Sequence, residues 1–200
     1  MGMACVMALG VVLADVANAE PRNGPRAQLA KQIRDGLVAS PAPMAGGNCG
    51  TPANFASIPF SDSDTTTGAT DIISTLPAGC SDWTQVAGPQ KVYSFTAGSG
   101  ANLSFTVTPS NQSYDTSIYL VSSCSSGASC IAGADYYYNY YDPGHAESFS
   151  VSSLTAGTTY YLHVDSYYSS SGKGGAYSSG PYALSVTGTL PVQLQEFQID

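Results

Sequence analysis

The stretch Lys91-Val-Tyr-Ser-Phe-Thr-Ala-Gly-Ser-Gly-Ala-Asn-Leu-Ser-Phe-Thr-Val-Thr108 decides the fold. Leu103, Phe105 and Val107 alternate with Asn102, Ser104, Thr106 and Thr108. Further along, Tyr160, Leu162 and Val164 alternate with Tyr161, His163 and Asp165, and Tyr182, Leu184 and Val186 with Ala183, Ser185 and Thr187. A period of two sends one face of each strand into a core and the other toward water. Working outward, six main strands are expected: 91–96, 102–108, 116–122, 147–152, 159–166 and 182–187. The turns Ala97-Gly-Ser-Gly100 and Leu154-Thr-Ala-Gly157 are expected to join consecutive strands as hairpins. Residues 56–60 and 71–75 read as short edge strands. The fold class is therefore all-β: an antiparallel β-sandwich, jelly-roll-like, with no helix inside it.

Composition narrows the partners. Only 10% of residues are charged, against about a quarter in ordinary globular proteins. The formal net charge is −8, which opposes contact with phosphate backbones and anionic lipid, so nucleic acid is excluded as a partner. Four of the six basic residues (Arg22, Arg26, Lys31 and Arg34) precede the strands, leaving the sandwich more acidic still. A surface wetted by Ser, Thr, Gly and Tyr in place of charge fits an extracellular protein.

The beginning of the chain agrees. Residues 3–16 are mostly apolar and Ala17-Asn-Ala19 precedes Glu20, so residues 1–19 are expected to be a secretory signal with a small-x-small cleavage site. The apolar run is short and interrupted by Asp15, so no stable membrane span is expected after processing. Residues 20–48 read as a linker, with Leu29, Ile33 and Leu37 on one face of a short helix. Ser40-Pro-Ala-Pro43 and Gly46-Gly47 end regular structure before the sandwich at 49–188.

Outside the signal the cysteines are Cys49, Cys80, Cys124 and Cys130, an even number that suits export and permits three pairings. The flexible Ser-Ser-Gly-Ala-Ser between Cys124 and Cys130 favours that pair, leaving Cys49 for Cys80. Zinc is the competing reading; it lacks a Cys-x-x-Cys spacing, and the chain has only two histidines.

Chemistry-bearing groups are sparse. His145 and His163 have no nucleophile elbow to serve, and His163 stands at an outward strand position where a solvated or hydrogen-bonded imidazole is expected. Asp62 and Asp64 read as members of a Ser/Thr-rich loop. The chain is not expected to be an enzyme. No cofactor is certain; calcium is the metal to consider, because Asp115, Asp135, Asp142 and Asp165 fall at strand ends or loops. Asp135 and Asp142 are the preferred ligand pair, against the alternative that these carboxylates cap turns and solvate loops.

The most unusual segment is Asp135-Tyr-Tyr-Tyr-Asn-Tyr-Tyr-Asp142. Five tyrosines in six residues (Tyr136, Tyr137, Tyr138, Tyr140 and Tyr141) exceed what one strand face can bury. Tyr167 and Tyr168, with Tyr177 and Tyr182, form a second group around a Gly/Ser-rich loop at 169–180. Exposed tyrosines stack on sugars and anchor protein contacts with little loss of side-chain entropy. They can equally cover a sandwich edge or a neighbouring subunit. The tail Leu190-Pro-Val-Gln-Leu-Gln-Glu-Phe-Gln-Ile-Asp200 reads as a last strand or one offered to a neighbour, with a change of parity near Glu196. It resembles the Leu-Pro-Val-x-Leu-x-x-Phe endings of some secreted bacterial proteins. Asn102-Leu-Ser104 and Asn111-Gln-Ser113 match the glycosylation sequon.

One family resemblance rests on these segments. Lys91-Val-Tyr-Ser-Phe-Thr-Ala-Gly98, Asn102-Leu-Ser-Phe-Thr-Val107, Tyr114-Asp-Thr-Ser-Ile-Tyr-Leu120, Leu154 to Asp165 and Gly180-Pro-Tyr-Ala-Leu-Ser-Val186 together resemble the bacterial pre-peptidase C-terminal (PPC) domain. The resemblance covers roughly residues 48–188, and the tyrosine run after Cys130 departs from it. It implies a β-sandwich of the kind attached to secreted proteases and other exported enzymes, where such domains bind and sort. The functional expectation is a secreted, non-catalytic binding or adhesion module that meets extracellular protein or carbohydrate through tyrosine-rich loops. The alternatives are a subunit of an extracellular filament, in which copies add strands to one another, and an accessory domain of a secreted hydrolase system.

Overall fold

A computed structural model describes residues 45–76, 80, 85–135, 144–169 and 177–191. The expected signal segment and linker helix, most of the C-terminal tail, the five-tyrosine run and Asp142 lie outside the described residues.

Nine strands follow in chain order: β1 (Ala53–Asn54), β2 (Phe60–Thr65), β3 (Lys91–Thr96), β4 (Asn102–Pro109), β5 (Ser117–Val121), β6 (Cys130–Ala134), β7 (Glu147–Val151), β8 (Thr159–Asp165) and β9 (Pro181–Thr189). They form two sheets, β1-β3-β8-β5-β6 and β2-β9-β4-β7. Every pairing between neighbours is antiparallel except the short parallel one of β1 with β3. The six main strands lie within a residue or two of their expected limits. β2 begins where the first expected edge strand ends, and residues 71–75 form only an isolated bridge, Thr75 with Gln85. β6 had no alternation to announce it, since Cys-Ile-Ala-Gly-Ala is nearly all apolar or small.

The inward faces carry the alternating residues as expected. Tyr93, Phe95, Leu162, Val164, Ile118 and Leu120 from one sheet meet Leu103, Phe105, Val107, Leu184 and Val186 from the other. Phe95 is stacked on Phe55 at 5.1 Å, and Phe105 on Phe149 at 5.0 Å, so aromatic rings fill the space between the sheets.

Three expectations are corrected. The Gly-containing turns do not close hairpins: β3 and β4 lie in different sheets, as do β7 and β8. Each turn carries the chain from one sheet to the other, and the two are bound together by Ala97 N–H to Thr158 O (3.0 Å) and Gly157 N–H to Ala97 O (2.8 Å). A tight Gly turn fits either geometry; which strand the next segment pairs with is settled by long-range packing.

The second correction concerns the outer face of the five-stranded sheet, which is covered rather than wetted. Ile73, Leu76, Cys80, Val86 and Ala128 pack over Tyr119 and Val121, with Ile72, Cys130 and Tyr161 at the margin. The low-charge segment before β3, which reads as loop, is the lid of a second core.

The disulfides differ too. Cys49 pairs with Cys124 and Cys80 with Cys130, with Cα–Cα separations of 5.4 and 5.5 Å. They close 75- and 50-residue separations. Loop closure entropy grows only logarithmically with length, so a short spacer is a weak selector. What selects is geometry: both bridges tie covering segments to the outer face and the β5–β6 hairpin.

Candidate functional site

β6 and β8 both pair antiparallel to β5, so they run in the same direction with one strand between them. Ser117 lies opposite Asp165, and Ile118 opposite Ala134. The chain therefore leaves β6 toward the five-tyrosine run and β8 toward Tyr167 at the same end of the sheet. The two exits are two strand spacings apart, about 10 Å. Tyr136, Tyr137, Tyr138, Tyr140, Tyr141 and Asp142 lie outside the described residues, but the strands that launch them do not.

The second tyrosine group is a built cluster. Tyr167 and Tyr168 meet edge to face with centroids 5.2 Å apart, and Tyr168 leans on Tyr177 at 5.8 Å. All three are half-buried. The backbone beneath them is tied down: Asp115 N–H donates to Tyr177 O at 3.1 Å, the Ser166 hydroxyl donates to the same carbonyl at 3.2 Å, and Tyr168 N–H donates to Ser166 Oγ at 3.1 Å. Tyr114, at the same end, is fully buried and donates to Asp165 O at 2.8 Å. Tyr182, grouped with this cluster by sequence, instead points into the core beside Tyr93.

Asp135, the last described residue before the run, is buried and accepts a hydrogen bond from Ser117 at 2.9 Å. Burial pushes its carboxyl up to about 7, against the hydrogen bond from Ser117 and helped by the charge of Asp115. Asp165 is fully buried as well, with Tyr119 donating to Oδ2 and Ser166 N–H to Oδ1, and burial raises it well above the usual carboxylate range. Three of the four acids considered for calcium, Asp115, Asp135 and Asp165, thus collect at one end of the sheet. Among the described residues no three His, Cys, Asp or Glu side chains group closely enough to hold a metal ion.

His163 is not solvated. Its face of the sheet is roofed by the second core, and the ring is fully buried. The amide NH2 of Gln90 is committed to Ile73 O (2.6 Å) and Asp71 (3.3 Å), so its oxygen faces His163 Nδ1 at 3.0 Å. That arrangement makes Nδ1 the donor and leaves Nε2 3.6 Å from Cys124 Sγ. Desolvation lowers the imidazole to about 3. A ring sealed and neutral in this way has no access to a substrate.

Asp62 and Asp64 are not in a loop. They lie on β2 opposite Leu184 and Tyr182, pointing inward from an edge strand. Asp62 Oδ2 accepts from the Tyr93 hydroxyl at 2.6 Å, Tyr93 shares a 2.7 Å hydrogen bond with Tyr182, and Lys91 Nζ lies 3.0 Å from Asp64 Oδ2. Sequence reasoning passed over this network; its one signal was the i, i+2 spacing of two acids, which on a strand places both on one face.

No family model and no curated protein matches the chain. Among solved structures it is similar to the pre-peptidase C-terminal domain of a collagenase from Bacillus anthracis, at 14% identity and a TM-score of 0.41 over 74% of this chain and 99% of that one. It is also similar to CorA, a surface-associated copper-binding protein of Methylomicrobium album BG8, at 10% identity and a TM-score of 0.39 over 75% of this chain and 100% of that one.

Proposed function

We propose that this chain is a secreted, non-catalytic β-sandwich that binds extracellular carbohydrate or protein through tyrosine-rich loops at one end of the sandwich. The observation that supports the reading is the shared exit of β6 and β8: the chain leaves both strands at one end of one sheet, into its two tyrosine-bearing segments. Tyr167, Tyr168 and Tyr177 supply ring faces and edges there, on a backbone held by Ser166 and Asp115. Two disulfides fit an oxidising, extracellular setting. The test is retention of the full chain on a panel of insoluble polysaccharides and on immobilised extracellular-matrix protein. Replacing Tyr137 and Tyr140 with Ser, or Tyr168 with Ala, is expected to reduce retention at least tenfold while the melting temperature moves little. Retention unchanged in both variants would sink the proposal.

A second reading, the filament subunit, has its own observation. β6 ends the five-stranded sheet, and its Ile131 is 41% exposed, the one large apolar side chain so placed among the described residues. An apolar edge strand invites addition of a strand from another copy. Negative-stain microscopy and sedimentation of the secreted protein decide between the two. Polymer that disappears with Ile131→Lys supports the filament; a monomer at high concentration with both chain ends intact overturns it.

A further inference from the structure

At the β2–β3 margin of the sandwich, Lys91 from one sheet meets Asp64 from the other, Nζ to Oδ2 3.0 Å. The contact is not aligned as a hydrogen bond: Asp64 Oδ2 is buried and has no hydrogen-bond partner among the described residues. Asp64 Oδ1 accepts from Thr65 N–H at 2.7 Å, and Lys91 Nζ also donates to Gly46 O at 3.1 Å. Two residues before Asp64, on the same face of β2, Asp62 is only 4% exposed. Its Oδ2 is engaged by Tyr93, while its Oδ1 is buried with no hydrogen-bond partner among the described residues.

Gly46 covers this group so closely that a Cβ there would lie 2.9 Å from Lys91 Cβ and from the hydroxyls of Tyr93 and Tyr182. Burial holds both phenols above their ordinary values, so they stay protonated, with Tyr93 donating to Asp62 and Tyr182 to Tyr93. A surface ion pair contributes little, and a buried unpaired carboxylate oxygen is costly. An amine, a carboxyl and a second carboxyl with one free oxygen, gathered in a covered margin, form the set of groups that amide condensation requires.

We propose that Lys91 and Asp64 condense to an intramolecular isopeptide bond, with Asp62 carrying the protons. The ion pair first becomes amine and acid, as one ammonium proton passes through Asp62 to the Asp64 carboxyl. The Nζ lone pair then attacks Asp64 Cγ, forming the N–C bond. A second proton leaves nitrogen through Asp62 for the departing hydroxyl, the C–O bond breaks and one water is released. Asp62 ends as it began, and nothing is oxidised or reduced. Fixed groups react at effective molarities of about 10⁵–10⁸ M, which lowers the barrier to condensation. The bond ties edge strand β2 of one sheet to β3 of the other, a covalent brace suited to a protein exposed outside the cell, whatever it binds.

Peptide mapping of the secreted, disulfide-reduced full chain tests this. Cleavage by a chymotrypsin-type protease after Phe60, Trp83 and Tyr93, with Pro77 blocking a cut after Leu76, releases residues 61–83 and 84–93. The proposal expects them as one branched peptide lighter than their sum by one water, and expects Lys91 to resist cleavage by a lysine-specific protease. Two linear peptides from the wild-type protein overturn it, with no variant needed. Lys91→Arg and Asp62→Ala, checked for native near-ultraviolet circular dichroism, are each expected to lose the branched peptide completely. A branched peptide that persists in folded Asp62→Ala overturns the role of Asp62. Unchanged resistance to denaturant in folded Lys91→Arg overturns the brace.

Discussion

The imidazole of His163 lies flat against the phenol of Tyr119, ring centroids 4.9 Å apart and planes 13° from parallel. Both belong to the face of the five-stranded sheet that alternation assigns to water. Here that face is a second interior, where Tyr119 reaches Asp165, His163 reaches Gln90, and the Cys49–Cys124 bridge closes over them. The covering segment is short of charge and carries Ile72, Ile73, Leu76 and Val86, enough apolar surface to exclude solvent.

Acid should expose the buried histidine. Its folded value is about 3 against 6.5 unfolded. Between these values the unfolded chain binds the extra proton, so the stability tied to neutral His163 is complete above about pH 6.5 and is lost as pH falls toward 3. From pH 7 to pH 4 the loss is of order 3 kcal/mol at about 1.4 kcal/mol per unit. Urea unfolding of wild type against His163→Gln at the two pH values checks this; an equal pH slope in both would refute it.

Asp135 works in the opposite direction. Its folded value is raised to about 7, so between about pH 4 and 7 the folded state binds more protons than the unfolded chain. Its contribution is complete below about pH 4 and lost as pH rises to 7. Asp135→Asn is therefore expected to flatten the decline in stability across that window by about 2–4 kcal/mol. Calcium gives a second arm. If calcium binds at Asp135 and Asp142, millimolar calcium at pH 7.5 raises the wild-type melting temperature and leaves Asp135→Asn unmoved; no shift in wild type removes calcium from this site.

The two bridges should differ in kind from a local staple. Removing Cys49–Cys124 or Cys80–Cys130 by paired Ser substitutions is expected to cost about 2–4 kcal/mol each. Both should loosen the covering segment before the inter-sheet core. Hydrogen exchange that rises first at residues 70–76 and 85–90 would show this; uniform loss across all strands would count against it.

Phe95 anchors the core between the sheets, with Phe55, Phe105 and Tyr160 within 5.1–6.0 Å of its ring centroid. Phe95→Ala should cost about 3–5 kcal/mol, the range for emptying an aromatic site in a packed interior. A chemical-denaturation midpoint close to wild type would mean the cavity collapses around the loss.

Much was local and therefore legible in the residues alone. The alternation of Leu103, Phe105 and Val107, and of Tyr160, Leu162 and Val164, is a property of consecutive side chains, and it located the main strands and the inter-sheet core. The excess of tyrosine around 135–142 and 167–177 likewise needed no structure to be noticed. What the tertiary structure alone decided were relations between distant residues. Local alternation cannot say that β3 and β4 enter different sheets, or that Cys49 reaches Cys124 across 75 positions. Nor can it say that His163, outward on its strand, is roofed by residues ninety positions earlier such as Ile73. Asp62 and Asp64 show the same limit from the other side. Two acids among serines and threonines look solvated until β2 pairs with β9 and turns them toward Lys91 and Tyr93, because burial is conferred by what packs against a side chain, not by its neighbours in sequence.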